Sequence, residues 1–562
     1  MTKQTKLITI QIALVAFSLT ATPTLEAAAS NDIQSIQEIF DPLGNPTSSL
    51  NSPSSILDTL QQAEQDDKKS KFLEVLNLIN ENKIDKAKAK LTELTKQFPN
   101  ETRYFNLQAL VSTIENDLPG AQQLYAKVLQ LSPNDLIAHL GLAKLALSEK
   151  HFDKAKDYAN QSIAINNKSI HAYLILADVA YQQKNIDQIE SILRTGYEKV
   201  NGDAASEIEL AAALSKFYTA QKQPDKTLKI TQELSSRYPQ NMQALSLLAG
   251  AQAINNDKAS AEQTLYKIIN ENKQDIVHRL ALAQLISEQP AKQADMLKLL
   301  DDTLKIAPEQ PQAEILKASY LIKIKRYDEA LALTKKIQAQ LPKSSVGKQL
   351  EADVYLANKQ LDKALAANKE AYKIQQNSKT LTVIAEIMAA QNQLKAAIDL
   401  LNNELQKVDD KNAIQFLLAT LYQRENDIPK AIKNYEEVLL KQPDNAIILN
   451  NLALLYADQQ KPQAIDLGKK AYDAYPKSPA IVDTYGTVLI KLGQAKEGLA
   501  ILRTAAELAP KNDEIQFHLA EAFVANADKK SALEILEKIL KLEPASTQKN
   551  AASTLLNQIK SK

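Results

Sequence analysis

The 562-residue chain has no cysteine, no tryptophan and only 11 glycines. The missing cysteine excludes disulfides, thiolate catalysis and cysteine-ligated metal sites, and it leaves no residue to carry the lipid of a bacterial lipoprotein. The missing tryptophan takes away the largest aromatic face that a sugar-stacking platform could use. Charge of one sign is also lacking: 67 basic residues balance 67 acidic ones, so no global field draws the chain to nucleic acid or to an anionic membrane. Only seven of the basic residues are arginine (Arg103, Arg194, Arg237, Arg279, Arg326, Arg424 and Arg503). Arginine makes the bidentate contacts to phosphate and base edges, so its scarcity points away from nucleic acid, although a lysine-rich codon usage explains it equally well. Enzyme signatures are missing too. None of the five histidines (His139, His151, His171, His278 and His518) has a second histidine four residues on, and there is no phosphate-cradling glycine loop and no G-x-S-x-G elbow. No catalytic, cofactor or metal residue is expected, and the chain is read as non-enzymatic and without a cofactor.

The N-terminus has the layout of an export signal. Lys3 and Lys6 precede the apolar run Leu7–Leu19, and Ala27-Ala28-Ala29 supplies an A-x-A site before Ser30. The expectation is therefore a signal peptide over 1–29 and a periplasmic mature chain, not a lipoprotein, with no membrane span after cleavage. Residues 30–70 are rich in Ser, Asn, Pro and Gln and bury too little apolar surface to offset the entropy of ordering, so they read as a flexible lead segment. Within it, Ile56–Ala63 could form a short helix.

From residue 71 onward a regular beat takes over. Small or apolar residues recur at Ala87, Ala121, Ala155, Ile189, Thr227, Ala261, Met296, Ala330, Ala364, Ala397, Ala431, Ala464, Gly498 and Ala532, at gaps of 33 to 35 with one exception of 38. A fixed period of this size marks a stacked repeat array. Twelve residues before most of these markers stands a small residue, as at Ala109, Ala143, Ala177, Ser215, Ala385, Gly486 and Ala520, suited to a close helix crossing; Ala283 and Ala453 are shifted by one residue, and only Val75 is larger. Twelve residues after, proline is frequent, as at Pro99, Pro133, Pro308, Pro443, Pro510 and Pro544, and it ends a second helix. Asp85, Asp153, Asp187, Asp225, Asp328 and Asp362 stand two before a marker and are read as helix caps that accept from free first-turn N–H groups. Aromatics at one first-helix position, Tyr218, Tyr355, Tyr422, Tyr456 and Phe523, are read as packing residues.

This combination resembles the tetratricopeptide repeat (TPR), recurring about fourteen times over residues 71–545. The fold implied is all-α: an α-α superhelix, a TPR solenoid of helix-turn-helix repeats whose first helices line the concave side. The expected organisation is an N-terminal array over 71–202, a main array over 203–547 and a C-terminal capping helix over 548–562, which closes the open end of the stack. The 38-residue interval around Asn201-Gly202-Asp203 predicts a lengthened turn.

The resemblance also implies which residues face the groove, namely those 18, 15, 11 and 8 positions before the marker. In this sequence they include His171, Leu174, Asp178 and Tyr181; Phe416, Thr420 and Gln423; and Glu514, Phe517 and Glu521. Asn450 alone matches the carboxylate-gripping set of chaperone-tail TPR domains, so that mode is rejected. Mixed apolar and polar groups of this kind suit an extended peptide or a partner helix, and protein partners are expected.

A narrower resemblance lies in the last repeats. Asn450–Ala453 (NNLA), Val482–Gly486 (VDTYG), Gly498–Pro510 (GLAILRTAAELAP) and Ile515–Ala522 (IQFHLAEA) are similar to the C-terminal part of exported TPR-repeat lipoproteins of the PEP-CTERM/exosortase exopolysaccharide system. Those proteins are longer and carry a lipobox cysteine that this chain lacks. The resemblance implies a scaffold in the cell envelope that holds components of polysaccharide biosynthesis or export. Two other readings stay open: an assembly factor for outer-membrane or pilus proteins, and a polysaccharide-binding protein. The latter is disfavoured because Glu514 and Glu521 lie two turns apart on one face, without the facing geometry of paired carboxylates.

Overall fold

In a computed structural model, residues 67–541 and 548–561 are described. The signal-peptide and lead-segment expectations, the helix at Ile56–Ala63 and Pro544 fall outside them; the first described helix, Asp67–Asn80, takes in the end of the lead segment. Among the described residues there are 29 α-helices, one short 3-10 turn and no strand. The chain divides into two compact units, the described residues up to Ala313 forming one and those from Glu314 onward the other. The Gly202–Asp203 interval lies inside the first.

Within each unit, consecutive helices form hairpins closed by the small residues the period marks. Ala143 in the helix Leu136–Ser148 and Ala155 in Phe152–Ile165 are both fully buried. Gly486 and Gly498 play the same parts in Pro479–Lys491 and Ala495–Leu508. There the backbones approach so closely that a Cβ on Gly498 would stand 2.9 Å from the Gly486 carbonyl oxygen. Each second helix then packs against the first helix of the next repeat. The last helix, Lys549–Lys560, lies on Lys529–Leu540 and buries Ala552 and Ile559 with Leu536 and Ile539. The recurrent first-helix aromatics pack as read from sequence: Tyr218, Tyr422 and Phe523 are buried. A cation also covers the ring, Lys226 over Tyr218 at 5.2 Å, Lys430 over Tyr422 at 5.1 Å and Lys461 over Tyr456 at 4.7 Å.

The turn inside the repeats has one conformation, except before Met296, where the 3-10 turn Pro290–Lys292 takes its place, and before Ala464, where the left-handed residue is Gln460, one position later. Five residues before the marker the backbone enters the left-handed region, at Asn82, Asn116, Lys150, Lys184, Lys222, Asn256, Lys325, Lys359, Asn392, Asn426 and Ala527, with glycine only at Gly493. In the last of these turns, Asp528 N–H donates to the Phe523 carbonyl at 2.9 Å and Ala527 N–H to that of Val524 at 3.0 Å, which closes the helix end by the Schellman arrangement. Alanine at φ 63° is strained by its Cβ. Ala527→Gly is expected to stabilise the final repeats by about 0.5–1 kcal/mol, read as a higher urea midpoint.

Two sequence expectations are corrected. The 38-residue interval does not lengthen the turn. Val200–Asp203 separates the helices Ile186–Lys199 and Ala204–Ala220, while the latter has 17 residues against 13 in its neighbours Ile170–Gln182 and Met242–Ile254. Four added residues make close to one helical turn, so the buried stripe keeps its face. The added turn buries Glu207, whose Oε1 accepts from Gly202 N–H at 2.6 Å and Tyr238 O–H at 3.0 Å, with Arg237 at 2.5 Å from Oε2. The recurrent aspartates are not caps either. Each is the second residue of its helix, and the capping positions before them, such as Lys83, Gln223 and Gln360, make no side-chain cap bond. Their carboxylates favour the positive end of the helix dipole, and two reach the following repeat: Asp225 accepts from Asn255 and Asp362 from Gln391. True side-chain caps are found elsewhere, at Asp117, Asp135, Asn241, Asp257, Asp410, Asn445, Asn512 and Asp528.

Candidate functional site

The two kinds of helix differ in how they crowd. Within each unit, successive first helices touch one another, as Ala446–Asp458 touches Pro479–Lys491 and the latter touches Asp513–Ala525. Second helices make their main contacts with the flanking first helices instead. The first helices therefore form the tighter, inner wall, where side chains from neighbouring repeats share a confined space and displace water from one another.

The groove residues expected from sequence are placed unevenly on that wall. In the first unit, His171 and Asp178 are buried, Leu174 is half-buried and Tyr181 is 56% exposed. Asp178 Oδ1 accepts from Gln182 at 3.4 Å. In the second unit, Phe416 packs edge-on to the buried Tyr435, with ring centroids 5.9 Å apart, and Gln423 Oε1 accepts from the Tyr435 hydroxyl at 3.3 Å. The Thr420 hydroxyl donates to the Leu417 carbonyl at 2.7 Å. Asn450 Oδ1 is buried and has no hydrogen-bond partner. Glu514 and Glu521 are half-buried, whereas Phe517 lies in the core with Leu519, Phe523 and Leu536. Phe416 and Phe517 thus serve packing, while Tyr181, Asn450, Glu514 and Glu521 bring the wall its exposed ring and its polar groups.

The wall's electrostatics were not visible in the sequence. Burial pushes Lys144 down to about 8, against the charge of Glu209. Burial lifts Asp178 against the hydrogen bond from Gln182, and lifts Asp353 to about 7 against the charge of Lys379. Glu386 rises for the same reason. All four stand eleven residues before a marker, on the inner turn of their helices, where the neighbouring repeats remove water.

One cluster of charged groups joins two first helices near the C-terminus. Asp483 Oδ2 and His518 Nδ1 are 2.8 Å apart, and side-chain exposures of 7% and 16% shield the pair from solvent. Glu514 stands one helical turn before His518, and Glu521 three residues after it. Burial opposes a charged imidazole here. The charge and hydrogen bond of Asp483, with Glu521 and Glu514 adding, outweigh it and raise His518 to about 9. Glu514 is raised by burial, with His518 opposing and Asp483 and Asp513 adding. Asp483 was not singled out from sequence, and His518 was read only as a packed or surface residue. Their separation of 35 residues, one repeat, was the available signal. No group of three or more His, Asp or Glu side chains placed to hold a metal ion occurs among the described residues, and no described helix is long and apolar enough to cross a membrane.

With the geometry in place, the comparisons define the class. Tetratricopeptide repeat models match residues 416–479, and also 113–161 and 489–559. The chain carries tetratricopeptide repeats, and its helical hairpins are their fold. It is 25% identical over 235 residues to a TPR repeat-containing protein of Pseudomonas aeruginosa; the match takes in 41% of this chain and spans 34% of the relative's length. Among solved structures it is similar to the crystal structure of the APC/C hetero-tetramer Cut9-Hcn1, with a TM-score of 0.40 and 13% identity over 90% of this chain and 99% of that one. It is also similar to the structure of Naa15/Naa10 bound to HypK-THB, with a TM-score of 0.30 and 12% identity over 88% and 96%. Repeats of this kind are interaction scaffolds.

Proposed function

We propose that this chain is an exported, non-enzymatic scaffold of the bacterial cell envelope that holds protein partners on the inner wall of its first helices, in the service of exopolysaccharide biosynthesis or export. The observation that carries the binding role is the wall itself. Successive first helices touch along each unit, and they present mixed apolar, amide and charged side chains, Tyr181, Gln423, Asn450 and Glu514 among them. Such a surface suits an extended segment or a helix of another protein. Export is supported by the basic, apolar and A-x-A succession from Lys3 to Ala29. The polysaccharide link rests on the similarity of the runs at Asn450–Ala453, Val482–Gly486, Gly498–Pro510 and Ile515–Ala522.

The test is site-specific photo-cross-linking in intact cells from position 181 or 420, followed by fractionation. The expected result is an envelope protein joined to a chain recovered from the periplasm. Recovery in the cytoplasm would remove the export and envelope parts together. Deletion that leaves extracellular polysaccharide unchanged would remove the pathway.

A further inference from the structure

We infer that the inner wall around Asp483 and Thr487, with Glu514 and His518 on the next first helix, is a subsite for one lysine or arginine side chain of a bound protein segment. The inference rests on the binding role proposed for this wall and names the chemistry of one contact on it.

Two acceptors there lack a partner. Asp483 is 5% exposed, and while its Oδ2 meets His518, its Oδ1 has no hydrogen bond. One turn further along the same helix face, Thr487 is 8% exposed and its hydroxyl oxygen is also without a partner. Native proteins pair the large majority of their buried polar atoms. Two unpaired ones on successive turns of one helix face, beside the carboxylates of the next first helix, mark a place where a donor comes from outside the chain.

The charge at the site selects the kind of donor. His518, raised to about 9, supplies one positive charge, whereas Asp483, Glu514 and Glu521 supply three carboxylates. An anionic side chain would add to this excess, and a neutral amide would leave it uncompensated. An ammonium or guanidinium group carries several N–H donors with its positive charge, so it meets both requirements, and its hydrogen bonds to carboxylate are of the stronger, charge-assisted kind. Phe517 and Tyr485, buried on the same two helices, hold the wall fixed beneath the polar groups.

The experiment titrates a fluorescein-labelled octapeptide of alternating arginine and alanine into the full chain at low salt, beside the same peptide with glutamate in place of arginine. The arginine peptide is expected to bind, more weakly as salt rises, and the glutamate peptide not to bind. Glu514→Gln is expected to weaken binding about fivefold, the upper range for one partly exposed ion pair. Thr487→Val, which keeps the shape of the side chain, should weaken it as well. A cation beside Asp483 competes with His518 for that carboxylate and disfavours the imidazolium. Binding at pH 9 should therefore release protons, seen as a dependence of the calorimetric heat on the buffer's ionisation enthalpy, which docking elsewhere would not produce. Equal binding of the two peptides, no proton release, or unchanged affinity in both variants overturns the subsite. If the arginine peptide fails while cross-linking from position 181 or 420 still captures an envelope protein, the subsite falls and the binding wall stands. If the peptide binds with proton release while those cross-links capture nothing, the wall as a partner site falls and the subsite stands.

Discussion

Asp483→Asn should destabilise the second unit strongly at neutral pH and hardly at all in alkali. In the folded chain His518 titrates at about 9 against an ordinary value of 6.5. A folded-state value above the unfolded one means that the native state binds the proton more tightly. The contribution is complete below pH 6.5 and is lost as pH rises through 9. At ~1.4 kcal/mol for each unit, the pair contributes about 3 kcal/mol at its fullest. Replacing the carboxylate by an amide removes the charge that holds the imidazolium and leaves burial to act against it, and breaking a buried pair in this way is among the costlier substitutions. Urea melts of wild type and variant between pH 5.5 and 10 should show midpoints well apart at pH 6–7 and converging above pH 9. A gap that stays constant over that range would show that the substitution acts through packing and not through the ion pair.

A comparable loss is expected in the first unit from a single methyl group. Gly141 sits in the helix Leu136–Ser148 beneath the ring of Tyr125, and a Cβ there would lie 2.4 to 2.7 Å from three ring atoms. Tyr125 is 1% exposed and packed among Ala121, Ala138, Leu142 and Leu145, so the ring has nowhere to turn. Gly141→Ala is expected to cost about 2–3 kcal/mol by overpacking. In a stack where each repeat contacts only its neighbours, the loss should stay local. Hydrogen exchange should quicken between Thr102 and Ile165 and remain unchanged beyond Glu314. The test of cause is the pair: Tyr125→Leu alone opens a cavity, and adding Gly141→Ala should then cost far less than it does in the wild type. Strict additivity of the two changes would contradict the clash.

The helical repeats were legible because their information is periodic. Ala87 through Ala532 and the small residues twelve positions earlier mark where two helices cross, and no tertiary knowledge is needed to count 34. The left-handed turn was legible in principle too, since Asn82, Asn116, Asn256, Asn392 and Asn426 keep one distance from the marker. Lysines at the same place hid it, because lysine carries no turn signal of its own. Counting could not say whether the four extra residues before Thr227 extend a turn or a helix; burial of Glu207 against Arg237 and Tyr238 decided for the helix. Nor could it separate a first-turn aspartate from a cap, for the two differ by two residues of register. The sequence by itself determined the repeated helical hairpins, the close crossings and the absence of thiol chemistry, all of which follow from residue size, period and composition. Only the tertiary structure decided which polar groups lose their water and which lose their partners. Asp353 is raised, Lys144 lowered and His518 paired with Asp483 because desolvation is set by the neighbouring repeat, one period away in the chain and within hydrogen-bond distance in space.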